Sequence, residues 1–359
     1  MITEIYIYQF RNLATTRITM NAHNIILFGS NGAGKSNILE AIYYSLLGSS
    51  FRERHDENII MIGKEQSAIS VKHQLNNYHD IVNIQIQKKN KKIYINNTLL
   101  KDRKELLIHY PTIIFAYHDL QIIHGEPSHR RQFFDQVASL LYGEQYIFLL
   151  REYQYILKQR NSAFKQNQRE FLEVNERVFI KINMKLMKMR AHIIETFNKE
   201  FVSRCKKLLN MPLYFRYQSS LKGDSEENIH AFIQAKLSYE YLKKSTLFGI
   251  HRDRYFLEDE TREMTAYLSI GQKRMISLLM KQTLCYLISL HHGKKPIILL
   301  DDVFVELDRE HKNLFWKMMP AYEQLFMSAL SSDEVYSSEE STKRYHVNNG
   351  YIHFYEESS

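Results

Sequence analysis

The sequence predicts an α/β protein whose sheet-forming parts come from both ends of the chain and bracket a mostly helical lobe. Three observations carry that reading. Asn24-Ile25-Ile26-Leu27-Phe28 reads as a short buried strand. A glycine-rich stretch follows it, and then residues 37–47 place Ile38, Leu39, Ile42, Leu46 and Leu47 at helical spacing. Pro296-Ile297-Ile298-Leu299-Leu300-Asp301-Asp302 is a second buried-strand pattern, ending in two carboxylates. Between them, residues 144–165 and 168–209 run as long helical stretches rich in Lys, Arg, Glu, Met and Phe.

Taken in order, Ile5 and Ile7, then Ile18 and Met20, alternate with polar residues and suggest an antiparallel pair ahead of the first buried strand. Phe10-Arg11-Asn12 lies between them. Strand patterns resume at Ala68 to His73, Ile81 to Gln87 and Lys92 to Ile95, the last two flanking Lys88-Lys89-Asn90-Lys91, a basic hairpin turn that reads as a solubilising tip in preference to a DNA contact. Thr112 to Phe115 is another buried strand. Ser128 stands where it could cap the helix carrying Phe133, Phe134, Val137, Leu140 and Leu141, with Arg131 where a capping-box glutamate would sit. No heptad is sustained through the helical middle, so no long coiled coil is expected. Leu213 to Tyr217 alternates like a strand, residues 222–228 form a polar loop, and Ile229 to Leu242 is helical.

The 359 residues allow one large domain or two medium ones, and 44% apolar content supports a full core. Net charge is +8, which favours a polyanionic partner, nucleic acid before membrane. Cys205 and Cys285 form no disulfide framework. The N-terminus lacks a signal-peptide pattern, and no apolar run reaches the ~18 residues of a membrane span. A soluble, intracellular protein is expected. The histidines, His109, His118, His129 and His251 among them, show no metal-ligand spacing and read as surface or loop residues. No Ser/His/Asp or Cys/His nucleophile set stands out.

Gly29-Ser30-Asn31-Gly32-Ala33-Gly34-Lys35-Ser36 fits G-x-x-x-x-G-K-[ST] in the context that pattern needs, strand before and helix after. Glycines let backbone N–H groups curl toward phosphate oxygens, and the helix N-terminus adds a favourable field. Lys35 then reaches the β- and γ-phosphates of a nucleoside triphosphate, and the Ser36 hydroxyl ligates Mg²⁺. Asp301, delivered by the second buried strand, completes the Mg²⁺ shell, since that ion takes oxygen ligands. Asp302 sits where a water-polarising acid would be. Leu268-Ser269-Ile270-Gly271-Gln272 precedes a helix and matches an L-S-x-G-Q element. Its serine hydroxyl and free N–H groups can bind a phosphate. Glu306-Leu307-Asp308 follows the aspartate pair.

The order of P-loop, helical insertion, L-S-x-G-Q, Walker B strand and D-loop resembles the SMC-like branch of ABC ATPases. More closely, the chain is similar to the RecF family. The matching residues include Phe10-Arg11-Asn12, Leu39-Glu40-Ala41-Ile42-Tyr43, Ser50-Phe51-Arg52, Pro127 to Arg131 with Phe134-Asp135, Leu157 to Asn161, Gly249-x-His251-Arg252-Asp253 and Leu300-Asp301-Asp302. The resemblance implies an ABC-type P-loop ATPase head with a mixed sheet plus antiparallel strands, an inserted mostly helical lobe and no long coiled coil. Residues 1–120 and 245–359 form the two parts of the ATPase domain, and 121–244 the inserted lobe. It further implies a cytoplasmic, nucleoid-associated protein of recombinational repair. ATP drives a homodimer onto duplex DNA next to single-strand gaps, with RecR and RecO as partners, weak DNA-stimulated hydrolysis and no membrane. Ser269 of one subunit meets the phosphate held by Lys35 of the other, and Arg11 and Asn12 lie near the nucleotide.

Departures from the family pattern fall at Ile250, where proline is usual, at Arg254, and at Tyr117, where Ser-Pro is usual before the acid. Ser328 stands where transport ATPases place a switch histidine, and Asp302 is one methylene shorter than their catalytic glutamate. Both imply modest turnover. A transport ATPase subunit and a structural chromosome protein are the competing readings. The first is disfavoured by the long basic insertion and by Phe10-Arg11-Asn12 in place of an adenine-stacking loop. The second is disfavoured by the missing coiled-coil arm.

Overall fold

A computed structural model describes residues 1–75, 78–88, 90–304, 307–332 and 341–355. The chain forms two compact units. The first comprises Met1–His118, Ile288–Asn313 and Met319–Ser359, and the second Asp119–Leu287 and Leu314–Met318. The first unit thus joins both ends of the chain. Residues 245–287, which the sequence groups with the C-terminal part, lie in the second.

Among the described residues the first unit holds two six-stranded sheets. In the mixed sheet, Asn24–Phe28 runs parallel to Thr342–Asn348 on one side and Gln324–Ala329 on the other. Ile297–Asp301 lies parallel between Gln324–Ala329 and Thr112–Ala116, and Tyr351–Tyr355 closes the far edge antiparallel. The strands Ile297–Asp301 and Gln324–Ala329 are buried along their whole length, which is why they read as apolar runs rather than as alternation. Parallel strands point the same way, so the glycine loop, the Asp301-Asp302 pair and Ser328 emerge at one edge. Ligands bind at that edge in open α/β sheets.

The other sheet is antiparallel. Ile5 pairs with Ile18 as its alternation requires, and Gln66–Leu75, Tyr78–Gln87 and Asn90–Ile95 extend the sheet outward. The helix Lys35–Leu47 shares one apolar cluster with both sheets: its Ile38, Leu39, Ile42 and Leu46 meet Ile5, Val71 and Ile84 of one and Leu299 and Phe326 of the other. Each such side chain contributes roughly 1.5–3 kcal/mol by leaving water. Covered on two sides, the helix buries ten of its thirteen residues. It stops at Gly48, which takes a left-handed φ of 64° and caps the Tyr44 carbonyl. Lys91 is not part of a solvated tip. Its ammonium pairs with Asp56 at 2.7 Å and donates to the Gly48 carbonyl at 2.8 Å, because its strand position turns it toward that helix end. Lys89 of the same run lies outside the described residues.

The second unit is mostly helical, with Pro127–Tyr142, Glu144–Gln166, the 41-residue Arg169–Leu209 and Glu226–Lys243, plus the antiparallel pair Tyr214–Gln218 and Arg254–Glu258. The capping role given to Ser128 does not hold. Pro127 occupies the first helical turn, where a missing N–H costs nothing, and no side chain caps it. Phe134 stacks on Tyr255 at 4.5 Å and meets Phe197 and Phe215 edge-on, forming an aromatic core. Beside it Arg190, 2% exposed, bonds Asp135 at 2.8 Å, Asp253 at 3.0 Å and the Ile250 carbonyl at 2.7 Å. Gly249 has φ of 135°, and a Cβ there would lie 2.5 Å from the Tyr153 hydroxyl, so the turn into this network needs glycine. Gly249-x-His251-Arg252-Asp253 is therefore a structural knot of this unit. Among the described residues no helix is long and apolar enough to cross a membrane.

His251 is mostly buried rather than a surface residue. The same knot draws it in: Tyr153 donates its hydroxyl to Nδ1 at 2.5 Å, and Nε2 donates to the Thr246 carbonyl at 3.1 Å. Burial, reinforced by Arg252, Arg131 and Arg190, pushes its pKa down to about 4. A histidine depressed in the folded state from an ordinary value of about 6.5 stabilises the fold fully above pH 6.5, and that contribution is lost as pH falls toward 4. Melting temperature should therefore drop between pH 7 and pH 4.5, with this residue contributing up to about 3 kcal/mol. His251→Gln, which does not titrate, should flatten that part of the profile. An unchanged slope would show that His251 is not the group responsible.

Candidate nucleotide site

The glycine loop is shaped by its neighbours. Gly29 has φ of 150°, and a Cβ on it would lie 2.2 Å from the Val347 carbonyl oxygen, so the strand Thr342–Asn348 forbids any side chain there. Gly34 precedes the helix with φ of 116°, a conformation that favours glycine. Lys35 is 5% exposed, and its ammonium donates to the carbonyls of Gly29 at 2.6 Å and Ser30 at 2.9 Å. The Ser36 hydroxyl donates to Asp301 Oδ1 at 2.7 Å. The two residues assigned to Mg²⁺ from sequence are thus in contact, although 265 positions apart.

Burial raises the Asp301 carboxyl above the usual carboxylate range, with the Ser36 hydrogen bond opposing and the charge of Asp302 reinforcing. An oxygen-only pair with a destabilised carboxylate suits a hard cation, and the donor set fits Mg²⁺. Asp302 takes a left-handed φ of 50°, and its N–H donates to Ser328 Oγ at 2.9 Å. The Ser328 hydroxyl lies 3.3 Å from both Asp301 Oδ1 and Asp302 Oδ1, so the residue in the switch-histidine position bridges the two acids. Asn31, Gly32, Gly34, Lys35 and Ser36 line a cleft closed by Asn37, Arg52 and Asp302.

Arg11 and Asn12 part company. Asn12 borders the loop, its Oδ1 accepting from Asn37 Nδ2 at 2.7 Å and lying 3.3 Å from where a Gly34 Cβ would be. Arg11 is committed elsewhere. Its guanidinium grips the fully buried Glu40 at 2.8 and 3.0 Å and donates to the Asn58 carbonyl at 2.8 Å. In this arrangement it ties the 10–12 loop to the helix and does not line the cleft. Arg52 does line it, anchored on Asn37 Oδ1 at 3.0 Å.

The C-terminal hairpin buttresses the loop, a role the sequence reading missed. Gly350 N–H donates to the Ala33 carbonyl at 2.8 Å, and its carbonyl accepts from Ala14 N–H at 3.1 Å. Asn349 and Gly350, at φ of 48° and 80°, make the tight turn. Asn-Gly between two strands was the available signal.

Ser269 belongs to the second unit, exposed at the start of the helix Ile270–His292. Its hydroxyl accepts from Gln272 N–H at 3.2 Å, and Gln272 Oε1 accepts from Ser269 N–H at 2.9 Å, a reciprocal capping box. Tyr267 and Ile270 beside it are 64% and 69% exposed. A Cβ on Gly271 would meet only Ser269 Oγ, at 4.0 Å. Nothing within the described chain uses the smallness of that glycine. Glu306 lies outside the described residues. Asp308 caps the helix Arg309–Lys317 through His311 N–H at 2.8 Å.

The family described as RecF/RecN/SMC N terminal domain matches residues 1–353. DNA replication and repair protein RecF of Treponema pallidum (strain Nichols) is 28% identical over 348 residues, 96% of this chain and 98% of that protein. RecF of Staphylococcus carnosus (strain TM300) is 29% identical over 360 residues, 96% of this chain and 97% of that protein. Among solved structures, one of the recombination mediator protein RecF-ATPrS in the RecFOR pathway superposes with a TM-score of 0.89 at 26% identity, covering 99% of this chain and 98% of that one. An Smc head domain from Pyrococcus furiosus superposes at 0.55 with 15% identity, a likeness of fold alone. The resemblance to RecF read from short motifs thus extends over the whole chain. With a P-loop, a paired serine and aspartate and a helical second unit in the order that the motifs require, the chain belongs to the RecF/RecN/SMC N-terminal domain family.

Proposed function

We propose that this chain is an ATP-binding protein of DNA replication and repair that works as a RecF-type switch. ATP brings two copies together, and the dimer holds duplex DNA next to a single-strand gap in the cytoplasm, at the nucleoid, with RecO and RecR as partners. The contact between Ser36 and Asp301 at the mouth of the glycine loop carries this reading, because it joins the two halves of a phosphate and Mg²⁺ site from distant parts of the chain. Lys35 binds the β- and γ-phosphates, with Gly29 to Ser36 supplying backbone N–H groups. Ser36 and Asp301 hold Mg²⁺, which neutralises phosphate charge when bound. Asp302 orients the attacking water and takes its proton. The exposed Tyr267 and Ile270 around Ser269 support docking of that edge on a second copy, whose nucleotide Ser269 would contact. Hydrolysis is weak on this reading, since Ser328 replaces a histidine and Asp302 is a short acid.

Sedimentation with ATP, ADP or no nucleotide, each with and without gapped duplex, tests the switch. The dimer and its DNA complex should form in the ATP arm alone. Equal DNA binding in all arms would overturn the reading. Asp302→Asn should keep ATP affinity and lose turnover by about 10²-fold, the worth of a positioned base, so that the ATP-bound dimer persists. Normal turnover in that variant would remove Asp302 from the mechanism.

A further inference from the structure

The hairpin that buttresses the glycine loop carries two histidines on one face. Its strands Thr342–Asn348 and Tyr351–Tyr355 pair antiparallel about the Asn349-Gly350 turn. Tyr345 and Val347 are buried in the core of the first unit, and Ile352 packs against that core. Side chains alternate along a strand, so His346 and His353 both lie on the opposite face, where both are exposed. The register sets the two directly opposite each other. Residues paired in this way have Cβ atoms about 4.5–5.5 Å apart. Along the chain they are seven positions apart (353 − 346), which is no chelating interval on a single strand. The turn creates the pair. Phe28 supports one side of it, with its ring centre 5.2 Å from that of His346. Among the described residues neither imidazole has a hydrogen-bond partner, so the ring nitrogens are uncommitted.

We infer that His346 and His353 form a two-imidazole site for a divalent transition-metal ion of the Zn²⁺ and Cu²⁺ class. Imidazole nitrogens bind Zn²⁺ at about 2.0–2.1 Å, so two of them on one tetrahedral ion stand about 3.3 Å apart, within reach of rings that start from paired cross-strand positions. The ligand chemistry selects the ion. Neutral imidazole suits Zn²⁺, Cu²⁺ and Ni²⁺, whereas Mg²⁺ and Ca²⁺ want oxygen. Among the described residues no set of three His, Cys, Asp or Glu side chains could hold a metal, so water completes the coordination. Half the ligands of a closed zinc site supply about half its binding free energy, which gives a dissociation constant of about 1–200 µM. The ion would cross-link the two strands close to their turn. This hairpin shapes the glycine loop, since the Val347 carbonyl excludes a side chain at Gly29 and Gly350 N–H holds the Ala33 carbonyl. Metal occupancy thus pins the register of the strand against which the loop is moulded. The site is distinct from the Ser36 and Asp301 pair and does not need the nucleotide.

The test uses the full chain without nucleotide, stripped of metals and kept in excess Mg²⁺ so that oxygen-only sites are filled. Calorimetric titration with Zn²⁺ should show binding in the stated range. His346→Gln and His353→Gln should each weaken it about 10²-fold or more, because the second ring binds as an intramolecular event. Both variants should keep the circular dichroism of the parent, since both side chains are exposed. His55→Gln, which removes an exposed histidine of another loop, should bind Zn²⁺ as the parent does. With Cu²⁺ as the probe, electron paramagnetic resonance should show two imidazole nitrogens in the parent and one in each glutamine variant at the pair. No Zn²⁺ binding by the parent in excess Mg²⁺, parental affinity in either of those two variants, or fewer than two nitrogens on Cu²⁺ in the parent would each overturn the inference. None of those outcomes bears on ATP binding by Gly29 to Ser36, so the two readings fail separately.

Discussion

Lys35→Ala should bind ATP between about 30-fold and several thousand-fold more weakly than the parent chain, the range for truncating one partner of a buried, hydrogen-bonded charge pair. The size of the effect follows from where the ammonium sits. It is buried at the start of a helix and hydrogen-bonded to two loop carbonyls, so its position is set before a phosphate arrives. Little ordering remains to be done on binding, and nearly the full attraction for the β- and γ-phosphates is realised. Arg52 lines the same cleft but is anchored to Asn37 and lies within 3.8 Å of Glu40, so it cannot take over a position inside the loop. Isothermal titration with ATP measures the loss directly. The circular dichroism spectrum should be unchanged, because the helix retains its apolar face and alanine favours helix, while the melting temperature should fall modestly, since the Gly29 and Ser30 carbonyls lose their donor. ATP affinity within threefold of the parent would mean that Gly29 to Ser36 is not the nucleotide site.

Much of this site was legible because local sequence carries it. Asn24 to Leu47 specifies strand, left-handed glycines and helix within one short window, and each part agrees with the next. Ile297 to Asp302 is similarly self-contained, and the pairing of Ser36 with Asp301 followed from putting the two together. What stayed hidden depends on long-range packing. Nothing near Arg11 announces that its charge is consumed by Glu40, because that contact joins a loop to the buried side of a helix. His251 looked like a loop residue, and it lies in a turn of the chain. Its burial comes from Tyr153, 98 positions away. Ser128 satisfied a local capping rule and lost to Pro127, which fits the first turn better. The hairpin at Asn349-Gly350 could have been read from its dipeptide, but its contact with Ala33 could not, since a parallel neighbour is chosen by sheet order and not by local pattern. The mapping of 245–287 onto the helical unit is of the same kind, a consequence of tertiary contacts that composition does not encode.

The second large effect concerns Ser269. Ser269→Arg should abolish the ATP-dependent dimer while leaving ATP binding by the single chain nearly intact, because Lys35, Ser36 and Asp301 are untouched. The hydroxyl also has a duty within its own chain, capping Gln272 N–H, so loss of the cap costs about 1 kcal/mol of helix stability. Ser269→Thr separates the two roles: it keeps the cap and should keep the dimer. Mixing Ser269→Arg with Lys35→Ala then gives the decisive readout. In a dimer with one chain of each, one composite site carries both lesions and the other carries none, since Lys35 comes from the first chain and Ser269 from the second. Partial ATP-dependent association or hydrolysis should return in the mixture, while neither variant alone shows either. A mixture no better than its components would mean that Ser269 does not serve a nucleotide held by another copy. A Ser269→Arg chain that dimerises normally with ATP would remove the composite site altogether, leaving Ser269 only its capping role.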